Sequence, residues 1–100
     1  MLNIVWYRNR YYGKKKFDEI INNCIELGIK IKVKTREYII FENGDIWKML
    51  CDIGQHEGLK ANICYIERAI SKEYINSVIL PLTAGVPYHA VCFYGEKEEK

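Results

Sequence analysis

The sequence predicts a single small α/β domain, built on a mixed, mostly parallel sheet with an antiparallel hairpin and two main helices. Three observations carry this. Short apolar runs at residues 2–7, 62–67 and 89–94 read as buried strands. Helix-period stretches fall between such runs, and an Asn-Gly pair joins two further strand-like segments. Helices interleaved with buried strands favour a sheet layered with helices, partly parallel, with the hairpin as its antiparallel portion.

Leu2 to Tyr7 is apolar, rich in strand formers and bounded by polar residues. From Lys14 to Leu27 the apolar positions Phe17, Ile20, Ile21, Cys24, Ile25 and Leu27 recur at helical spacing, and Gly28 stands where a C-terminal cap belongs. "IKIKVK", residues 29–34, alternates apolar and cationic side chains, as a strand with one wet face does, and its lysines discourage edge pairing. Tyr38–Phe41 and Ile46–Cys51 flank Asn43-Gly44, which predicts a tight hairpin with positive φ at both central residues. Residues 52–60 carry two glycines and no periodicity, and read as a loop. Ser71 can cap a second helix that runs to about Val78, until Pro81 interrupts its hydrogen-bond ladder. After a turn at Gly85 and Pro87, residues 89–94 form the last strand.

A chain of 100 residues, 49% hydrophobic and 28% charged, suits one core, so residues 1–95 read as one domain and 96–100 as a solvated charged tail. No apolar run approaches the roughly 18–20 residues of a membrane span, and the first residues lack the pattern of an export signal. The expectation is a cytoplasmic protein with no membrane partner. Cys24, Cys51, Cys64 and Cys92 have no metal-ligand spacing and read as reduced, buried thiols. A zinc site from Cys51, His56, Cys64 and His89 fits none of the usual spacings. Neither metal nor cofactor is expected. Net charge is +2, but residues 1–36 carry +6 and the remainder −4. A basic first third suits phosphate, nucleic acid or an acidic protein surface.

That charge is concentrated in "RNRYYGKKKF", residues 8–17. With the helix starting near Lys14, Lys14, Lys15 and Lys16 are wrongly signed for its N-terminus, which favours an anion there. The link Arg8-Asn9-Arg10-Tyr11-Tyr12-Gly13-Lys14-Lys15 joins a strand to a helix and keeps the Gly-Lys of G-x-x-x-x-G-K-[ST]. In such a loop Gly13 permits the tight backbone and Lys14 reaches the anion's oxygens.

On these residues the chain resembles a reduced P-loop ATPase domain of the kind found in phage terminase large subunits and helicase-like proteins. "IIFENGDIWKML" looks like their strand-Asn-Gly-strand segment, and "HEGLKANICYIERAI" like the approach to the Walker B strand, with Glu67 where that strand ends in acids. The resemblance implies a small phage accessory protein on a P-loop-like fold. Arg8 stands in place of the loop's first Gly, Lys15 in place of the Mg²⁺-binding hydroxyl, and Arg68 in place of the acid that activates water. Phosphoryl transfer depends on positioned metal and nucleophile, so hydrolysis is not expected.

Other chemistry has less to stand on. His56 and His89 are acid–base candidates by residue type but lack a partner constellation, and a Cys64–His89 pair has no third orienting group. Trp6, Tyr7, Tyr11 and Tyr12 cluster with Arg8 and Arg10, a mixture suited to an interface anchor or to stacking on single-stranded bases. The expected function is binding, to a host or phage protein, including inhibition of a host nuclease or defence protein. The expected contacts are Arg8, Arg10, Tyr11, Tyr12, Gly13, Lys14, Lys15 and Glu67, with the His56 loop as a second contact. The alternative is a phosphate- or nucleotide-binding or single-strand nucleic-acid module. Oligomeric state is left open.

Overall fold

The computed structural model describes residues 1–56 and 58–96. Along the chain run β1 (Leu2–Tyr7), α1 (Arg10–Glu26), β2 (Ile31–Lys34), β3 (Tyr38–Phe41), β4 (Ile46–Cys51), β5 (Ile63–Glu67), α2 (Lys72–Tyr74) and β6 (Ala90–Tyr94). A π turn (Ile75–Ile79) and a 3₁₀ turn (Leu80–Thr83) continue α2. The six strands form one sheet in the order β2-β3-β4-β1-β5-β6. Pairs β1–β4, β1–β5 and β5–β6 are parallel, while β2–β3 and β3–β4 are antiparallel. The expected mixed, mostly parallel α/β sheet is therefore present.

β1 lies between β4 and β5 and is buried from Asn3 onward, which explains its unbroken apolar run. Val5 and Tyr7 face one layer with Phe17, Ile20 and Ile21 of α1. Ile4 and Trp6 face the other layer with Ile70, Ile79 and Leu82. α1 and the helical run 72–83 thus cover opposite faces.

α1 begins four residues earlier than the apolar spacing indicates. Asn9 is its N-cap, with Oδ1 accepting from Tyr11 N at 2.9 Å, and the polar first turn carries no apolar signal to mark it. At the other end Gly28 takes φ +89°, and Ile29 N donates to Cys24 O at 3.1 Å, closing the helix as expected.

The hairpin is present, but its turn differs from the expected one. Only Gly44 has positive φ (+96°); Asn43 does not. Phe41 N donates to Asp45 O and Gly44 N to Phe41 O, giving a longer loop in which Asn43 Oδ1 accepts from Asp45 N.

The second helix departs most. Ser71 caps it, with Oγ accepting from Tyr74 N at 3.1 Å, yet α geometry lasts only three residues. Ser77 Oγ donates back to Glu73 O at 2.7 Å, and Pro81 can supply no N–H to Ser77, so the ladder widens to π. The chain stays helical past Pro81 as 3₁₀, a turn whose first residues need no donor. The last strand starts at Ala90 rather than His89. Of the expected tail, Glu96 is exposed, and 97–100 lie outside the described residues. No helix among the described residues is long and apolar enough to cross a membrane.

Candidate functional site

Chain direction reverses its lateral progress at β1. From β1 the chain passes over one face through α1 to the β2–β4 side, and from β5 it passes over the other face to β6. Ligand sites of open α/β sheets form at the carboxyl ends of strands beside such a switch point. There an open cavity of about 860 Å³ is lined by Arg8, Tyr12, Lys15, Glu67 and Tyr94, among others.

The structure brings Glu67, from the end of β5, onto the strand-to-helix link. Its side chain is 5% exposed, and Oε1 accepts from Arg8 N at 2.8 Å and from Asn9 N at 2.9 Å. These amides lie where a strand-to-helix loop offers donors to an anion. Here the anion is the protein's own carboxylate. Asn9 Oδ1 already holds Tyr11 N, so the start of α1 is satisfied from within.

Gly13 lies inside α1, not in a loop. A Cβ there would stand 2.5 Å from Tyr7 Cβ, so this glycine lets the helix backbone close on β1. The earlier start of α1 also corrects the charge argument: Lys14, Lys15 and Lys16 fall in its second turn, beyond the reach of the terminal dipole.

Most of the basic stretch is paired. Lys14 Nζ lies 2.6 Å from Asp18 Oδ1, Lys16 Nζ 2.7 Å from Glu19 Oε1, and Arg10 Nη1 3.1 Å from Glu37 Oε1. Arg10 also donates to Tyr7 Oη, and with Lys14 it lines a second groove on the other flank of α1. Among the described residues Arg8 and Lys15 have no ion pair. Within the cavity Arg8, Lys15 and Lys16 face Glu19, Glu67 and Glu96, so charge there is balanced.

His56 is not part of this cavity. Its ring packs edge-on against Trp6, 5.4 Å between centroids, on the face covered by the 72–83 run. Tyr74 meets the same Trp6 and donates through its hydroxyl to Gly54 O at 3.1 Å, which ties Gly54 to the helical run that begins with α2. Tyr11 and Tyr12 instead stand exposed, 68% and 49%, in an edge-to-face pair 5.3 Å apart.

Burial raises the thiol pKa of Cys24, Cys51 and Cys64, which opposes thiolate formation. Cys64 is wholly buried, whereas the exposed His89 sets Nδ1 2.9 Å from Val86 O. Neither is arranged as a nucleophile-base pair. Among the described residues no cluster of three or more His, Cys, Asp or Glu side chains could hold a metal ion.

Tyr94 is the site residue that sequence reasoning missed. Its hydroxyl donates to Trp6 O at 2.8 Å across the β1–β5–β6 ends, and burial, followed by the charges of Glu67 and Tyr7, pushes its pKa well up. Only its place at the end of a strand hinted at this. No family model, curated protein or solved structure matches the chain.

Proposed function

We propose that this chain is a non-catalytic binding protein whose contact surface is the first turn of α1. The observation that carries the reading is the exposed Tyr11–Tyr12 pair, fixed on a capped helix, with the unpaired Arg8 and Lys15 beside it. Tyr and Arg on rigid backbone give large contact area at low entropic cost. The partner is a protein. A small phage accessory role, including inhibition of a host nuclease or defence protein, follows from the P-loop-like resemblance and belongs to the same proposal.

The phosphate or nucleotide reading receives less support, because Glu67 holds the two amides and the cavity's charges balance. The test measures capture of proteins from host lysate with the full chain and with a Tyr11→Ala/Tyr12→Ala variant. Loss of two hot-spot side chains should lower capture of any specific partner by at least about 30-fold, or roughly 2 kcal/mol, at an unchanged melting temperature. Undiminished capture by the variant would remove the site. Binding to single-stranded DNA or ATP that falls steeply with salt would favour the phosphate class.

A further inference from the structure

The two edges of the sheet are guarded differently. β2 carries the exposed Lys32 and Lys34 and follows Lys30, the usual defence against edge-to-edge pairing. β6, "AVCFY", has no charge, proline or bulge, and its Phe93 is 49% exposed. Among the described residues β6 pairs only with β5. We propose that β6 pairs antiparallel with β6 of a second copy, about a two-fold axis at Cys92, joining two sheets into one.

Backbone parity allows this arrangement. Ala90 N donates to Asn62 O and Tyr94 O accepts from Arg68 N, so residues 90, 92 and 94 turn their peptide groups toward β5. Val91 and Phe93 therefore turn theirs outward. These two positions flank Cys92 symmetrically. A two-fold axis there makes Val91 of each copy exchange both hydrogen bonds with Phe93 of the other, satisfying the outward groups of both at once.

The side chains agree with that register. Val91 packs on the cluster covered by the 72–83 run, and Phe93, two residues on, faces the same way. Each Phe93 then lies directly across from Val91 of the other copy, a favourable aromatic–β-branched pair. Beyond the strand ends, Glu96 of one copy comes opposite Tyr88 of the other. Tyr88, 81% exposed, gains cover there. Pairing of β6 with β2 of another copy would instead propagate without closure, and the β2 lysines oppose it. The proposal is independent of the Tyr11–Tyr12 surface.

Sedimentation equilibrium of the full chain tests it. A mass rising with concentration from 11.8 kDa toward twice that value is expected. Phe93→Lys, which copies the guard on β2, should hold the chain monomeric with its melting curve otherwise intact. Independently of that variant, the central pair of the antiparallel register sets the two Cys92 Cα atoms about 4.5 Å apart, within disulfide range. Mild oxidation with diamide should therefore give a Cys92–Cys92 dimer by peptide mapping, at least about tenfold more than is formed through Cys24 or Cys51. A wild-type chain that stays monomeric at sub-millimolar concentration overturns the proposal, even if β6 captures a strand of another protein. A dimer unaffected by Phe93→Lys, or crosslinked mainly through Cys24 or Cys51, overturns it as well.

Discussion

The two faces of the sheet are closed by opposite strategies. On one, the 17-residue α1 lays Phe17, Ile20 and Ile21 over Val5 and Tyr7 with regular spacing, a side-chain cap at its start and a glycine cap at its end. On the other, residues 72–83 pass through α, π and 3₁₀ geometry and still bury Ile79 and Leu82 over Ile4, Trp6 and Ile66. Regular hydrogen bonding is therefore not what seals a face. The irregular run succeeds because a few large apolar side chains fill the space, whatever ladder supports them. The regular helix adds something else: a rigid platform for Tyr11 and Tyr12.

The comparison is most directly broken by Ile79→Ala. Ile79 is fully buried, and its truncation should destabilise the protein by about 3 kcal/mol, within the range for buried Ile-to-Ala changes. Urea unfolding would read the loss. A cost below about 1 kcal/mol would show that the irregular run is dispensable.

Next in size is Gly13→Ala on the regular face, expected to cost about 2 kcal/mol. The added methyl meets Tyr7 Cβ at 2.5 Å, an atom that cannot rotate away, although alanine favours the helix intrinsically. Stabilisation by this change would show that α1 can ride higher on β1.

Glu67 links the two halves of the sheet at the switch point. Glu67→Ala leaves two partly buried amides without their acceptor and should cost about 1–2 kcal/mol by chemical denaturation. Glu67→Gln retains an acceptor oxygen and should cost less. Equal losses would mean that the carboxylate's charge, rather than its hydrogen bonds, holds the junction.

The caps sharpen the contrast between the helices. Asn9→Ala should cost about 1 kcal/mol, because it frays the start of a long helix. Ser71→Ala should cost less, since only three α residues depend on that cap. Thermal melts of the two variants, run side by side, decide the order.

The smallest effect lies at alkaline pH. Tyr94 has its pKa raised in the folded state, so the stability it contributes is full below the unfolded phenol's value of about 10 and is lost as pH rises toward the folded value. The wild type should lose stability more steeply above that pH than Tyr94→Phe. Parallel slopes for the two proteins would remove Tyr94 from the titration.

Much of the fold was legible because burial dictates pattern. β1 is central and reads as a solid apolar run, and α1 has one buried face and reads at helical period; β2 alternates in sequence, but at the sheet edge Ile31 is only half-buried and Val33 is exposed. The start of α1 was misplaced because Arg10, Tyr11 and Tyr12 belong to its exposed first turn, where no apolar spacing exists to find. The second helix was misread because Ser77 and Pro81 disturb the ladder locally, while the side chains that keep the run helical lie elsewhere in the chain. Within the candidate site, the nearness of Glu67 to Arg8 and Asn9 is a contact across 59 and 58 residues, and the P-loop-like pattern only suggested it.

Composition and periodicity by themselves determined a one-core α/β chain, its strand runs, its long helix with the glycine cap, and a basic, aromatic-rich segment near its start. These follow from local spacing, which the chain carries whether folded or not. Only the tertiary structure decided what that segment is. It folded Gly13 against Tyr7, paired Arg10, Lys14 and Lys16 with acids, sent His56 to the opposite face, and placed the Glu67 carboxylate on the amides that a bound anion would have used. The physical reason is that a charge or a donor is neither free nor satisfied until distant residues are brought beside it, and no local pattern records which ones will come.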